Sequence, residues 1–201
     1  MAQVKICGIN SPEAFAAAAV ADWIGLNFYP PSPRFVTPAQ AASFGPGPTR
    51  VGLFVNPTDD DLSATLAVAS LDILQLYAPP RRASEIRRRF GLPVWRAVGI
   101  SDRSHLPTEG EDVDGYVIES KAPPDATRPG GNATPFDWSI LSGWTAPLPW
   151  LLAGGLDPAN VRAAIAASNA PAVDVASGVE RIRGVKDAEL IDAFIAEARA
   201  R

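Results

Sequence analysis

Eight short apolar bursts, each followed by a turn or a helix-capping signal, recur from one end of this 201-residue chain to the other. They are Val4–Cys7, Trp23–Phe28, Arg50–Val55, Leu71–Leu76, Pro93–Val98, Gly115–Glu119, Trp150–Ala153 and Ala172–Val175. Short apolar runs that do not alternate with polar residues mark strands covered on both faces. Helix starts lie between them. Ser11-Pro12, Thr37-Pro38 and Asp157-Pro158 each pair an N-cap oxygen with proline at the first helical position, where its missing N–H costs nothing. Thr58 precedes Asp59, Asp60 and Asp61, whose carboxylates suit the positive end of a helix dipole. Near the C-terminus, Leu190, Ile191, Phe194, Ile195 and Ala198 fall on one helical face.

Strands alternating with helices predict a parallel α/β fold, and eight strands close a (β/α)8 TIM barrel. A doubly wound sheet would carry Gly-x-Gly-x-x-Gly after its first strand. Here the first strand runs into Cys7-Gly8-Ile9-Asn10 instead. At this length the barrel is trimmed. The segment between Val98 and Gly115 carries no helix signal, so the fifth helix is expected to be eroded. Residues 121–135 are rich in proline and glycine and read as a long loop, placed as a lid would be. No linker or composition break divides residues 1–201, which are expected to form one domain.

Composition narrows the function. Apolar residues make up 47% of the chain, too many for a disordered polymer. A net charge of −4 speaks against nucleic acid, and the basic run Arg81, Arg82, Arg87, Arg88 and Arg89 reads as a solvated helix face. One cysteine cannot make an internal disulfide, and one cysteine with one histidine cannot complete a four-ligand zinc site. The apolar run from Ala14 to Ala21 is far short of the roughly 20 residues that cross a bilayer, and no signal peptide is visible. A soluble, cytoplasmic protein is expected, without membrane or nucleic-acid partners.

In a parallel barrel the C-terminal strand ends converge on one face, which carries the active site. Cys7 ends the first strand, and the second leads to Arg34. Glu119 ends the sixth, Gly154-Gly155 the seventh, and Asp174 with Ser177-Gly178 the eighth. The two glycine loops let backbone N–H groups approach an anion, at the usual phosphate position of such barrels. Cys7 is either a small buried hydrophobe or a base, and as a base it is expected to react faster than an ordinary thiol. Arg34 either clamps a carboxylate through its planar fork or pairs with a surface acid. Asp174 either touches a ligand or holds loops together as a buried carboxylate. The five tryptophans are expected to serve packing, and His105 is given no role.

These residues sit in recognisable surroundings. Lys5-Ile6-Cys7-Gly8-Ile9, Phe28-Tyr29-Pro30-Pro31-Ser32-Pro33-Arg34 and Val51-Gly52-Leu53-Phe54-Val55-Asn56 occur in order. They are followed by Leu71-Asp72-Ile73-Leu74-Gln75-Leu76, Phe136-Asp137-Trp138-Ser139 and Leu152-Ala153-Gly154-Gly155-Leu156. Val173-Asp174-Val175-Ala176-Ser177-Gly178-Val179-Glu180 and Gly184-Val185-Lys186-Asp187 complete the set. The chain resembles the phosphoribosylanthranilate isomerases of tryptophan biosynthesis. That resemblance implies a cofactor-free Amadori rearrangement of phosphoribosylanthranilate to carboxyphenylamino-deoxyribulose phosphate. It makes Cys7 the general base and places Arg34 on the anthranilate carboxylate. The loops at Gly154-Gly155 and Ser177-Gly178 take the phosphate, and Asp174 lines the pocket. A small phosphosugar is the partner, and the protein is a monomer or a homodimer.

Three stretches depart from the family pattern. An aspartate is expected at the end of the sixth strand, where this chain has Val117-Ile118-Glu119-Ser120, so Glu119 is the candidate acid. Gly-Gly-Thr-Gly appears as Gly130-Gly131-Asn132-Ala133, near a further acid, Asp125, and Gln-Leu-His-Gly appears as Gln75-Leu76-Tyr77-Ala78. Three readings fit: an isomerase of reduced activity using Glu119, a diverged paralogue acting on another sugar phosphate, or a non-catalytic sugar-phosphate binder. Under the first, Glu119→Asp is expected to raise the rate.

Overall fold

The protein is described here from a computed structural model, which covers residues 1–121 and 137–200. Asp125, Gly130 to Ala133 and the loop expected over 121–135 lie, from residue 122 on, outside the described residues. Eight parallel strands close a barrel in chain order: β1 (Gln3–Cys7), β2 (Trp23–Asn27), β3 (Thr49–Val55), β4 (Ile73–Tyr77), β5 (Val94–Ile100), β6 (Gly115–Ser120), β7 (Trp150–Leu152) and β8 (Ala172–Val175). Closure is made by β1 against β8, with Lys5 opposite Asp174. The helices on its outside are α1 (Pro12–Ala17), α2 (Pro38–Ser43), α3 (Asp59–Leu66), α4 (Pro80–Phe90), α5 (Val161–Ser168) and α6 (Ala188–Arg199). Between β5 and β6 stands only a 3-10 turn, Arg103–His105, which is the eroded helix expected from the sequence.

Alternation along the strands divides the interior into two cores. Val4, Ile6, Ile24, Leu26, Leu74 and Leu76 point outward and meet the helices, including the buried face of α6 formed by Ile191, Phe194, Ile195 and Ala198. Fully burying side chains of this kind contributes about 1.5–3 kcal/mol each. Inside the barrel, Val51, Trp95, Val117, Leu151, Ala153 and Ala172 pack with Trp23 and Ile73 into an apolar floor. Trp23 and Trp95 meet edge to face there, 5.2 Å between centroids. The next inward residue along β4, β6 and β8 is Gln75, Glu119 and Asp174 respectively, so the floor gives way to polar groups at one level.

The capping signals act as read at three helices. Ser11 Oγ accepts from Ala14 N–H at 3.2 Å, and Thr37 with Gln40 and Thr58 with Asp61 form reciprocal capping boxes. The fourth helix start differs. α5 begins at Val161 rather than Pro158, because Asp157 and Asn160 cap each other in a preceding turn: Asp157 Oδ1 accepts from Ala159 N–H and Asn160 N–H, and Asn160 Oδ1 accepts from Asp157 N–H. The basic run on α4 is matched by acids: Arg87 with Asp112 and Asp114, Arg88 with Asp112, Arg82 and Arg89 with Asp59, Arg81 with Glu85. Among the described residues no helix is long and apolar enough to cross a membrane.

Candidate active site

At the C-terminal ends of the strands lies a cavity of about 690 Å³, its open mouth included. Cys7, Arg34, Glu119, Gly154, Gly155, Asp174 and Ser177 all line it. Gly178 does not. It packs behind the lining, where a Cβ would run into the carbonyl oxygen of Leu156, so only glycine fits that position.

On β1 and β8, Lys5 Nζ donates to Asp174 Oδ1 at 2.9 Å, and the lysine side chain is fully buried. Asp174 therefore holds a buried lysine as well as lining the cavity. Burial works against the Lys5 ammonium, but the charges and hydrogen bonds of Asp174 and Cys7 outweigh it and hold its pKa above the ordinary lysine value. Cys7 is 5% exposed. Burial pushes its thiol up, Lys5 pulls it back, and Asp174 adds to the rise, so the net shift is upward. A fast-reacting thiol, expected from the sequence, does not fit a buried group with a raised pKa.

Arg34 follows the Pro-rich turn after β2. It makes a bidentate pair with Glu180, Nε to Oε1 at 2.5 Å and Nη2 to Oε2 at 2.9 Å, and the side chains are 4% and 3% exposed. Gly8, at φ +78°, passes directly under the Arg34 side chain, where a Cβ would collide with its Cδ. Glu180 opens a hairpin of β9 (Glu180–Ile182) and β10 (Val185–Lys186). It also accepts from Gly184 N–H at 2.9 Å and from Lys186 Nζ at 3.0 Å. Burial alone would raise the Glu180 pKa, yet its bonds to Arg34, Lys186 and Gly184 bring it below the usual range. Burial lowers the Lys186 pKa, against the pull of Glu180. Three cations, Lys5, Arg34 and Lys186, thus face two carboxylates, Asp174 and Glu180, on this side, and a third carboxylate, Glu119, lines the cavity opposite.

Gly154 (φ +91°) and Gly155 (φ +68°) adopt left-handed backbone that turns β7 back over the barrel mouth. Asn160 Nδ2 pins the turn by donating to the Gly155 carbonyl at 2.9 Å. Ser177 begins a 3-10 turn, Ser177–Val179, on the neighbouring loop. Across the cavity Tyr77 and Glu119 both line the wall. Burial first, then the charge and hydrogen bonding of Glu119, push the Tyr77 phenol well above its ordinary pKa, so Tyr77 presents a proton to the carboxylate. Gln75 lies below them, fully buried.

The structure brings Cys7, Glu119, Arg34, Asp174, Ser177 and the first glycine loop to one cavity with Gln75 and Tyr77, and places Lys5, Glu180 and Lys186 behind the lining as partners of Asp174 and Arg34 or of each other. The hairpin was the missed element. Its signal was present: alternation on both sides of Arg183-Gly184, the glycine being at φ +85°. Lys5 was signalled by a charge inside an otherwise apolar strand.

Comparison with known proteins agrees with this geometry. A family model described as N-(5′-phosphoribosyl)anthranilate (PRA) isomerase matches residues 4–197. The chain is 52% identical over 204 residues to the N-(5′-phosphoribosyl)anthranilate isomerase of Acidiphilium cryptum strain JF-5, covering 100% of both chains. It is similar to the crystal structure of phosphoribosyl anthranilate isomerase from Thermotoga maritima, with a TM-score of 0.84, 33% identity and 99% of each chain covered. A further structure of such an isomerase, in complex with reduced 1-(o-carboxyphenylamino)-1-deoxyribulose 5-phosphate, superposes with a TM-score of 0.81 at 32% identity, again over 99% of each chain.

Proposed function

Since the chain belongs to the N-(5′-phosphoribosyl)anthranilate isomerase family and carries out that aldose–ketose isomerisation, we propose that Cys7 and Glu119 divide its proton transfers between them. The observation that carries this assignment is their placement on two different strands around one cavity. Glu119, as the acid, protonates the furanose ring oxygen, and the ring opens to a Schiff base. Cys7, as the thiolate, takes the proton from C2′ to leave an enolamine, and return of a proton to C1′ with loss of the 2′-hydroxyl proton completes the aminoketose. The two groups need unequal proton affinities held apart in space. Lys5 supplies the cation that favours the Cys7 thiolate, and Asp174 holds Lys5 in place.

The cluster of three cations, Lys5, Arg34 and Lys186, on the Cys7 side supports anion binding there. Arg34, braced by Glu180, takes the anthranilate carboxylate. The N–H groups of the loops at Gly154-Gly155 and Ser177-Gly178 take the phosphate. Every group assigned comes from one chain, so the assignment holds for a monomer and for a homodimer alike. A free catalytic thiol works in a reducing compartment, and we place the reaction in the cytoplasm.

The test is the loss of fluorescence of freshly generated phosphoribosylanthranilate on adding the purified protein. Cys7→Ala and Glu119→Gln are each expected to lose at least about 100-fold in turnover, while both still bind reduced 1-(o-carboxyphenylamino)-1-deoxyribulose 5-phosphate. Turnover near wild type in Cys7→Ala would falsify the base assignment.

A further inference from the structure

Gln75 sits on β4 between Leu53 of β3 and Trp95 of β5, one inward step above the apolar floor. Its side chain is fully buried, and neither Oε1 nor Nε2 has a hydrogen-bond partner among the described residues. It lines the same cavity as Cys7 and Glu119. A buried amide without partners lowers stability relative to an apolar side chain of the same shape, so methionine or leucine would serve packing better here. Leu53 beside it has no polar atom, the Trp95 indole N–H makes no hydrogen bond to it, and Lys5 and Asp174 satisfy each other.

We propose that Gln75 is a substrate-binding residue whose amide takes the vicinal hydroxyls of the sugar chain beside the reacting carbon. This rests on the assignment of Cys7 and Glu119 given above. A carboxamide presents a donor and an acceptor side by side, and a vicinal diol offers one of each in return. The substrate's two anionic ends already have basic or N–H-rich partners in Arg34 and the glycine loops. What remains is the hydroxyl-bearing carbon chain between them, and it must lie between Cys7 and Glu119 for either to act. Holding its 2′ and 3′ oxygens from the floor turns the C2′ hydrogen toward the Cys7 Sγ and fixes the geometry of proton removal.

The test is Gln75→Met, close to isosteric and without the amide. Its thermal midpoint is expected to equal or exceed that of wild type, while kcat/KM falls roughly tenfold to a hundredfold. Affinity for reduced 1-(o-carboxyphenylamino)-1-deoxyribulose 5-phosphate should fall in proportion. The 3′-deoxy form of that ligand should bind wild type more weakly than the full ligand, yet bind Gln75→Met equally well. A lowered thermal midpoint with unchanged affinity for both ligands would overturn the proposal and make Gln75 a packing residue. If Gln75→Met fails to fold, Gln75→Asn retracts the amide by one methylene; unchanged affinity there overturns the proposal too. Cys7-dependent turnover of wild type, measured alongside, separates this outcome from a failure of the catalytic assignment.

Discussion

The two sides of the cavity are built on opposite principles. Around β8, β1 and the turn after β2, each buried charge has a partner of opposite sign: Lys5 has Asp174, and Arg34 and Lys186 share Glu180. These pairs exist before any ligand arrives, and they set the thiol and the guanidinium in place. Around β4 and β6 the polar groups Gln75, Tyr77 and Glu119 stand over an apolar floor, and Gln75 has neither amide atom paired among the described residues. One side is preorganised by ion pairs; the other has the Tyr77–Glu119 contact above a buried amide. Breaking a group on the first side should therefore cost stability and activity together, whereas on the second side the two should separate.

The sharpest break is Lys5→Met. It leaves the Asp174 carboxylate buried without its cation, which should cost about 3–5 kcal/mol of stability, readable by denaturant titration. It also removes the charge that favours the Cys7 thiolate, so kcat/KM should fall and its rise with pH should move to more alkaline values. Glu180→Gln comes next. Arg34 loses its brace and Lys186 its counter-ion, and the Lys186 pKa is already lowered by burial. The amine can shed its proton, so the stability loss should be smaller, about 2–3 kcal/mol. Steady-state kinetics should show the activity loss mainly as a rise in KM, since the misplaced guanidinium still carries its charge.

The pH dependence sharpens the same contrast. Burial raises the Cys7 pKa, so the thiol is protonated near neutrality and kcat/KM should climb as the pH rises toward the folded-state value, by about tenfold per unit well below it. Stability should move the other way. Above the unfolded thiol pKa the folded state keeps a proton that the unfolded state has lost, so folding weakens as the pH rises through that window. Lys5 acts in the same direction: its folded pKa is raised, and its contribution is lost as the pH passes through that value. A thermal midpoint that rose with kcat/KM on the alkaline side would contradict both shifts.

The sequence revealed the matched side only in part. The strands of the barrel were legible because residues covered on both faces must be apolar, and the cap residues marked most helix starts. Cys7, Arg34 and the glycines were found because each stands at a strand end. Gln75 to Tyr77 was legible as the end of the fourth strand, but Lys5 lies one pleat deeper, within Val4–Cys7, and only closure of the barrel brings it against Asp174. Glu180 and Lys186 were recognised as parts of motifs, but the Glu180 bond to Arg34 spans 146 residues of sequence, and the Lys186 bond to Glu180 depends on a hairpin that was not anticipated. The thiol's burial and raised pKa were likewise hidden, since exposure and pKa belong to the packed interior and not to the residue type.

The smallest expected effects lie at Tyr77 and Glu119, where the sequence and the structure give opposite signs. By the family pattern, Glu119→Asp restores the usual acid and should raise the rate. In the structure the carboxylate is set against the Tyr77 hydroxyl, and this tyrosine occupies the position where the pattern has histidine. Shortening the acid by one methylene withdraws it from that donor by about 1 Å, enough to misplace a proton transfer. Glu119→Asp alone is therefore expected to lower kcat several-fold, and Tyr77→His alone to lower it by a smaller factor. The double variant should recover part of the loss, because the two positions act as a unit. A double-mutant cycle with no coupling between them would show that the acid is placed independently of Tyr77.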